Sequence, residues 1–312
     1  MGTRQDLINK FKGTHFTLQE AYEAVDAPKE SIRARIYESL GFSFERISKG
    51  IYRSLAESGQ GILIEGDGRD LSMLKDGSID AIITDHPWED EKSNKGGNRA
   101  FAEYNCFRYT REDFVEKARV LKDGCFLAEF LPAENASNYE YLYQLKKMAE
   151  KAGFQYYTKV AWVKTGFVAN TGRKAKNTEE VLLFTKGKAR NLRPDAKKNK
   201  AEPNIEHFMS GARGMFPTAF HCEPPKKAER IHQAEKPVAL LQEIMEFISF
   251  PGDTILDQFA GSGATGVAAV ESKRHAIMIE MAVEAAQSIR QRFEKLQLNL
   301  AELKYSALPI CA

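Results

Sequence analysis

The sequence predicts an α/β fold built on an open, doubly wound sheet whose nucleotide-binding half is written last in the chain. Three observations predict it. Residues 253–281 read as strand, glycine turn, helix, strand: an apolar run over 254–256, then Gly261-Ser262-Gly263, a helix-forming run over 265–272, and a second apolar run over 275–279 closed by Glu280. About thirty residues follow Glu280, too few for the other strands that such a sheet requires, so these must come from earlier in the chain. Runs at 61–65 and 78–84 supply two of them, the second almost wholly apolar after Asp80, as expected of a strand covered on both faces.

Taken in order, residues 1–57 read as a separate module. Helices are expected over 6–11, from Thr17 (a cap, with Gln19 and Glu20 behind it), and over 29–40 with Pro28 near the first turn. The run 42–52 alternates like a hairpin around Ser48-Lys49-Gly50. Three helices and a hairpin resemble a winged helix-turn-helix module, which makes Arg33 and Arg35, on the third helix, candidate DNA contacts. A plain helical cap is the competing reading.

After the strand at 61–65 come Gly66-Asp67-Gly68, a short helix over 70–75 and a turn at Asp76-Gly77. The strand at 78–84 ends abruptly in Asp85-His86-Pro87-Trp88. A carboxylate, a rigid proline and an indole at a strand's carboxyl end do little for a core. They suit a flipped base: the Asp85 carboxylate accepts one hydrogen of an exocyclic amine, a backbone carbonyl before or at Pro87 accepts the other, and Trp88 gives a stacking face. Residues 89–99 read as a polar loop. Helices are expected over 111–121 and 136–151, with a turn at Lys122-Asp123-Gly124, a strand over 125–131, and a closing pair of strands over 154–163 and 181–185. Cys125 reads as core.

The chain's 45 Lys and Arg nearly balance 43 Asp and Glu, but the distribution is uneven: between Phe167 and Arg230 there are 14 basic and 7 acidic residues. Residues 165–230 therefore read as an insertion that meets an anionic partner, with Arg173, Lys174, Lys176 and Arg213 as candidate phosphate contacts. Cys106, Cys125, Cys222 and Cys311 have no paired spacing, which argues against a disulfide framework or a metal site and for a reducing cytoplasm. No run reaches membrane-spanning length. A homodimer is compatible with all of this.

Three segments carry a family resemblance. Asp85-His86-Pro87-Trp88 resembles the Asp/Asn/Ser-Pro-Pro-aromatic motif of amino methyltransferases. Asp257-Gln258-Phe259-Ala260-Gly261-Ser262-Gly263-Ala264-Thr265 resembles their cofactor loop, and His232-Gln233-Ala234-Glu235-Lys236-Pro237 the motif that precedes it. Catalytic motif first and cofactor loop last is the order of the β class of DNA amino methyltransferases. The resemblance implies a Rossmann-like methyltransferase sheet, circularly permuted, with S-adenosyl-L-methionine as cofactor. It implies that Glu280, with Met281 beside it, holds the ribose. Residues Phe259, Ala260, Gly261, Ser262 and Gly263, with Asp257 and Thr265, hold the methionine part. Asp67 and Gly68 lie near the adenine, and Lys236 and His232 face the cofactor's carboxylate. Adenine N6 in duplex DNA is the expected acceptor, as in site-specific methylation of the restriction-modification kind. Cytosine N4 and RNA adenine are the alternatives. The chain departs from the pattern at His86 (for proline), Trp88 (for tyrosine), Gln258 (for proline) and Ala264 (for threonine). A DNA-binding protein that keeps the cofactor but is impaired by His86 is the non-enzyme alternative. A nicotinamide oxidoreductase, suggested by the spacing of Gly261, Gly263 and Gly266, leaves the Asp85 tetrad unexplained.

Overall fold

The computed structural model describes residues 3–11, 14–38, 40, 43–48, 50–54, 59–87, 106–166, 177–190, 216–226, 230–231 and 235–304. The expected sites Trp88, Arg173, Lys174, Lys176, Arg213 and His232 lie outside these residues.

The N-terminal segment runs α1 (Thr3–Lys10), β1 (His15–Thr17), α2 (Leu18–Ala24), α3 (Lys29–Glu38), β2 (Phe44–Ser48) and β3 (Ile51–Ser54). Thr17 does cap α2: its hydroxyl accepts from Glu20 N at 3.2 Å, and the Glu20 carboxylate accepts from Thr17 N at 2.7 Å. The strands form a sheet in the order β1-β3-β2. β1 went unseen in the sequence because three residues are too short for an alternation to register. Leu7, Phe16, Ile32, Ile36, Phe44 and Tyr52 give the segment a core of its own.

The rest of the chain folds around β4 (Gly61–Glu65), β5 (Ile79–Thr84), α4 (Arg111–Val120), β6 (Leu121–Pro132), α5 (Tyr139–Lys151), β7 (Phe154–Lys164), β8 (Thr178–Lys186), β9 (Ala219–Cys222), α6 (Val238–Ile248), β10 (Thr254–Asp257), α7 (Ala264–Glu271), β11 (His275–Glu280), α8 (Val283–Lys295) and β12 (Leu300–Lys304). The nine strands lie in the order β12-β4-β11-β10-β5-β6-β8-β7-β9. Strands from β12 to β6 are parallel to their neighbours, whereas β8 is antiparallel to both β6 and β7. This is the permuted sheet that the sequence implied: β10 and β11, written late in the chain, are inserted between β4 and β5. Every residue of β5 is buried, as a strand with helices on both faces requires. One apolar cluster joins the sheet to α4 and α5 through Phe114, Leu142 and Leu145. A second joins it to α6 and α7 through Leu240, Ile244 and Ala268.

Four expectations are corrected. Residues 70–75 form turns, not a helix, because side chains capture the backbone donors: Arg69 N donates to Asp67 Oδ1 and Ser72 N to Asp70 Oδ1, each at 2.9 Å. Lys122-Asp123-Gly124 does not break the strand but bulges within β6; the register slips there, and Gly124 takes φ +78°. α5 starts at Tyr139 rather than near 136, because Asn135 N donates to Asn138 Oδ1 and Ser137 N to Asn135 Oδ1 in a preceding turn. Residues 165–230 are not wholly an insertion, since they supply β8 and β9 to the sheet. β12, also unexpected, extends the opposite edge beside β4. Among the described residues, no helix is long and apolar enough to cross a membrane.

Candidate active site

The two segments that the sequence singled out are neighbours. β5 and β10 pair in parallel, Ala81 with Ile255 and Ile82 with Leu256. Their carboxyl ends therefore open on the same edge, and the Thr84 hydroxyl donates to Asp257 Oδ1 at 3.3 Å. The chain winds outward on both sides of this pair, through β11 on one side and β6 on the other. That junction is where an open α/β sheet forms a ligand crevice.

The β10 side forms a cradle. Gly261 and Gly263 have φ of +50° and +71°, and the turn they make leads into α7. At the end of β11 the Glu280 carboxylate accepts from Gly261 N at 2.7 Å and from Ala282 N at 2.8 Å. β4 pairs with β11 up to Glu65–Glu280, which brings Asp67 and Gly68 to the same edge. Gly68 is pressed against the Gln258 backbone: a Cβ there would lie 1.8 Å from the Gln258 oxygen, and Gln258 Nε2 donates to the Gly68 carbonyl at 2.6 Å. Gln258, which replaces the family's proline, thus ties the two loops together. Gly266 serves packing: a Cβ would meet Met278 Sδ at 2.1 Å.

These features fit S-adenosyl-L-methionine. The turn leaves open space, since a Cβ on Gly66 meets nothing and one on Gly261 meets only the Phe259 oxygen at 4.0 Å. A half-buried carboxylate, Glu280, stands at the strand end as an acceptor for a ribose diol. Ala260, Ser262 and Thr265 are buried, so their backbone rather than their side chains is what the loop presents, whereas Met281 is largely exposed. Burial pushes the Asp257 carboxyl up to about 6, against hydrogen bonds from Thr265, Phe259 N and Thr84; Asp85 adds to the rise.

The β5 tip directs its side chains alternately, as an extended chain does. Asp85 turns toward Lys236, just ahead of α6. Lys236 Nζ lies 2.5 Å from Asp85 Oδ2 and 3.1 Å from Glu179 Oε2, and Glu179 Oε1 also takes Lys164 Nζ at 2.6 Å. Lys236, expected at the cofactor's carboxylate, is here paired with Asp85 and Glu179. The physical reason is its burial: a side chain only 10% exposed needs counter-charge, and two carboxylates supply it. Burial opposes the Lys236 charge, but Asp85 and Glu179 outweigh it and hold the ammonium above the usual lysine range. Burial raises the Asp85 carboxyl, and Lys236 only partly reverses this.

His86 points the other way, into the core between β6 and α5. Its Nδ1 lies 2.9 Å from Glu129 Oε1 and its Nε2 3.0 Å from the Tyr141 hydroxyl. Tyr109 donates its hydroxyl to Glu129 Oε1 at 3.0 Å and its N–H to the Tyr141 oxygen at 3.2 Å, and Lys117 Nζ donates to Glu129 Oε2 at 2.8 Å. Burial raises the Glu129 carboxyl, but Lys117 and His86 outweigh it and keep Glu129 below its ordinary range. The His86 side chain, grouped with the catalytic residues in the sequence, is therefore a buried anchor, and only its backbone lies at the strand tip. Pro87 offers its carbonyl to Phe107 N at 3.1 Å, and this bond ties the chain beyond residue 105 back to the motif.

The sequence reading missed Glu179, Glu129, Lys117, Tyr109 and Tyr141. Glu129 was signalled: it is the lone charge within the apolar run of β6. Lys117 was also signalled, on the apolar side of α4 between Phe114 and Val120. Glu179 carried no signal, since adjacent acids before a strand usually face water. In the N-terminal segment Arg33 and Arg35 are both exposed, Arg33 stacked on Tyr37 at 5.5 Å and Arg35 paired with Glu38 at 2.5 Å. Trp162 is packing, buried and donating to the Cys222 carbonyl at 2.9 Å, and Cys125 is core.

Strand order, glycine cradle and acidic strand tip together define an α/β methyltransferase. The family model described as DNA methylase, N6_N4_Mtase, matches residues 79–291, more than half of the chain. The protein belongs to this family of S-adenosylmethionine-dependent enzymes and is a DNA methyltransferase of the N6/N4 kind. It is 25% identical over 232 residues to the type II methyltransferase M.HpaI of Haemophilus parainfluenzae, spanning 72% of this chain and 71% of that one. Among solved structures it resembles M1.HpyAVI in complex with SAM (TM-score 0.53, 23% identity, 75% of this chain and 99% of that one). It also resembles the cytosine-N4-specific PvuII DNA methyltransferase (TM-score 0.53, 17% identity, 76% and 87%). At these identities the structural likenesses bear on the fold alone.

Proposed function

We propose that this enzyme methylates the exocyclic amino group of a base flipped out of duplex DNA, with adenine N6 as the favoured acceptor. The observation that carries the reading is the contact between the two strand ends: Asp85 follows Thr84, whose hydroxyl bonds Asp257 at the head of the cofactor loop. When bound, S-adenosyl-L-methionine supplies a methyl group on a sulfonium, which is already a good leaving centre. The protein's part is then positioning and electrostatics. Asp85 accepts one hydrogen of the amine. The His86 carbonyl accepts the other, since the Pro87 carbonyl is engaged with Phe107 N. Held at both hydrogens, the nitrogen keeps its lone pair aimed at the methyl group. The N–C bond forms as the S–C bond breaks, and the amine then gives one proton to Asp85 and on to solvent. Asp85 need not be a strong base, because the amine becomes acidic only once the methyl group has arrived. Glu280 holds the ribose, Asp67 and Gly68 border the adenine, and residues 259–263 cradle the methionine part.

DNA binding is assigned to two regions. Arg33 and Arg35 on α3 suit phosphate contact in a winged helix-turn-helix module over residues 1–57. The basic residues of 165–230 suit the backbone of the target duplex. Residues 58–164 with 231–312 form the catalytic body, completed by β8 and β9. Adenine is favoured because Asp leads the catalytic motif.

The test is nucleoside mass spectrometry of duplex DNA incubated with the protein and S-adenosyl-L-methionine. N6-methyladenine is expected. N4-methylcytosine would replace the acceptor, methylation of RNA but not DNA would replace the substrate, and no modified nucleoside in either would overturn the reading.

A further inference from the structure

We propose that Glu179 on β8 is a positioning residue for methyl transfer: it holds the Lys236 ammonium against one oxygen of Asp85 and thereby fixes how the catalytic carboxylate meets the amine. The inference rests on the methyltransferase reading of the same site.

The geometry is a row of alternating charges, Lys164–Glu179–Lys236–Asp85, with contacts of 2.6, 3.1 and 2.5 Å. Four separate segments converge on it: the end of β7, the start of β8, the residues ahead of α6 and the tip of β5. Glu179 is fixed by its register, opposite Trp162 on β7 and Pro132 on β6. A lysine side chain alone is a poor orienting device, because its rotamer freedom must be given up. Here that freedom is removed twice, by the second carboxylate and by the Phe130 ring, whose centroid lies 5.2 Å from Nζ. Lys236 contacts Oδ2 of Asp85, so Oδ1 is the oxygen that takes the amine. Glu179 touches neither oxygen of Asp85 and works through the ammonium between them.

Among the described residues, the charged groups that face Asp85 are Lys236 ahead of α6, Glu179 on β8 and Asp257 at the end of β10, while His86, next to it in the chain, is turned away. Burial raises the Asp85 carboxyl, Lys236 lowers it and Glu179 raises it. Removing Lys236 and removing the Glu179 charge must therefore move Asp85 in opposite directions. A residue that merely stabilises the fold has no such signature.

The experiment measures kcat and kcat/KM for methyl transfer to duplex DNA against pH for wild type, Lys236→Met and Glu179→Gln, with S-adenosylhomocysteine binding by calorimetry alongside. In Lys236→Met the acid limb of kcat/KM is expected to move up by about one pH unit or more. In Glu179→Gln it is expected to move down, while kcat falls about tenfold or more and S-adenosylhomocysteine binding stays at the wild-type value. A limb that moves the same way in both variants, or in neither, overturns the proposal, as does an unchanged kcat in Glu179→Gln. If Lys236→Met does not fold, Glu179→Gln decides alone on the direction of its limb and on kcat. Failure of wild type to methylate any nucleic acid would sink the methyltransferase reading instead, so the two failures are distinguishable.

Discussion

The ring of His86 lies on the far side of the strand tip from Asp85, and this decides what its replacement does. The family motif has proline at that position, and the sequence left the effect of a histidine there open, with impairment only as an alternative to an active enzyme. The structure shows what the ring does instead of facing the crevice. His86 completes a buried set of hydrogen-bonding groups: its ring nitrogens contact Glu129 and Tyr141, while Tyr109 and Lys117 also donate to Glu129. Restoring the family's proline would leave Glu129 and Tyr141 short of a partner in a site closed to water. We expect His86→Pro to lose about 2–3 kcal/mol of unfolding free energy, the range for a hydrogen bond to a buried charge, and to lose methyl transfer with it. Urea denaturation checks this. A His86→Pro variant as stable as wild type would show that the buried network contributes nothing.

Among the elements, those with a strong period or a tight glycine turn were legible, and those made by pairing were not. β10, α7 and β11 were read within a residue or two because Gly261 and Gly263 punctuate two apolar strands. β9 and β12 were invisible because short edge strands owe their form to a neighbour, β7 and β4 respectively, rather than to their own pattern. The helix expected over 70–75 failed because Asp67 and Asp70 capture backbone N–H groups that a helix would need. The Gly68–Gln258 contact was legible only in part: the glycine was seen as a turn, but its partner 190 residues away was not. That contact couples the β4 and β10 loops, both of which border the proposed cofactor site. A Cβ at residue 68 would collide with backbone, which cannot swing aside as a side chain can. Gly68→Ala is expected to destabilise the protein by about 1–3 kcal/mol. It should also weaken S-adenosylhomocysteine binding about tenfold, a change of about 1.4 kcal/mol. Thermal unfolding and calorimetry measure the two effects; wild-type values in both would mean that the loops separate freely.

At the scale of the whole molecule, the sheet has two working ends. At the amino end of β10, Asp253 is fully buried and held by Arg190 at 2.5 Å and by Arg53 of β3, so the N-terminal segment is anchored there. Burial raises the Asp253 carboxyl, but these two arginines outweigh it and keep it below its ordinary range. At the carboxyl end, one strand length or about 13 Å away, lies the candidate active-site crevice. The N-terminal segment therefore docks on the edge opposite the chemistry. No charge count predicts this, because Arg53 and Asp253 are 200 residues apart. The permutation itself was legible from the order of the motifs, with the Asp85 tetrad first and the glycine turn last. In the proposed reaction the tip of β5 and the glycine turn after β10 form one site, with Asp85 engaging the amine and the turn holding the methyl donor. The most direct measurement is methyl transfer to duplex DNA by Asp85→Ala, with S-adenosylhomocysteine affinity measured on the same sample. Wild-type affinity is expected, with transfer reduced by a factor of about a thousand or more. Transfer at the wild-type rate in a variant that still binds the ligand would contradict the proposed reaction.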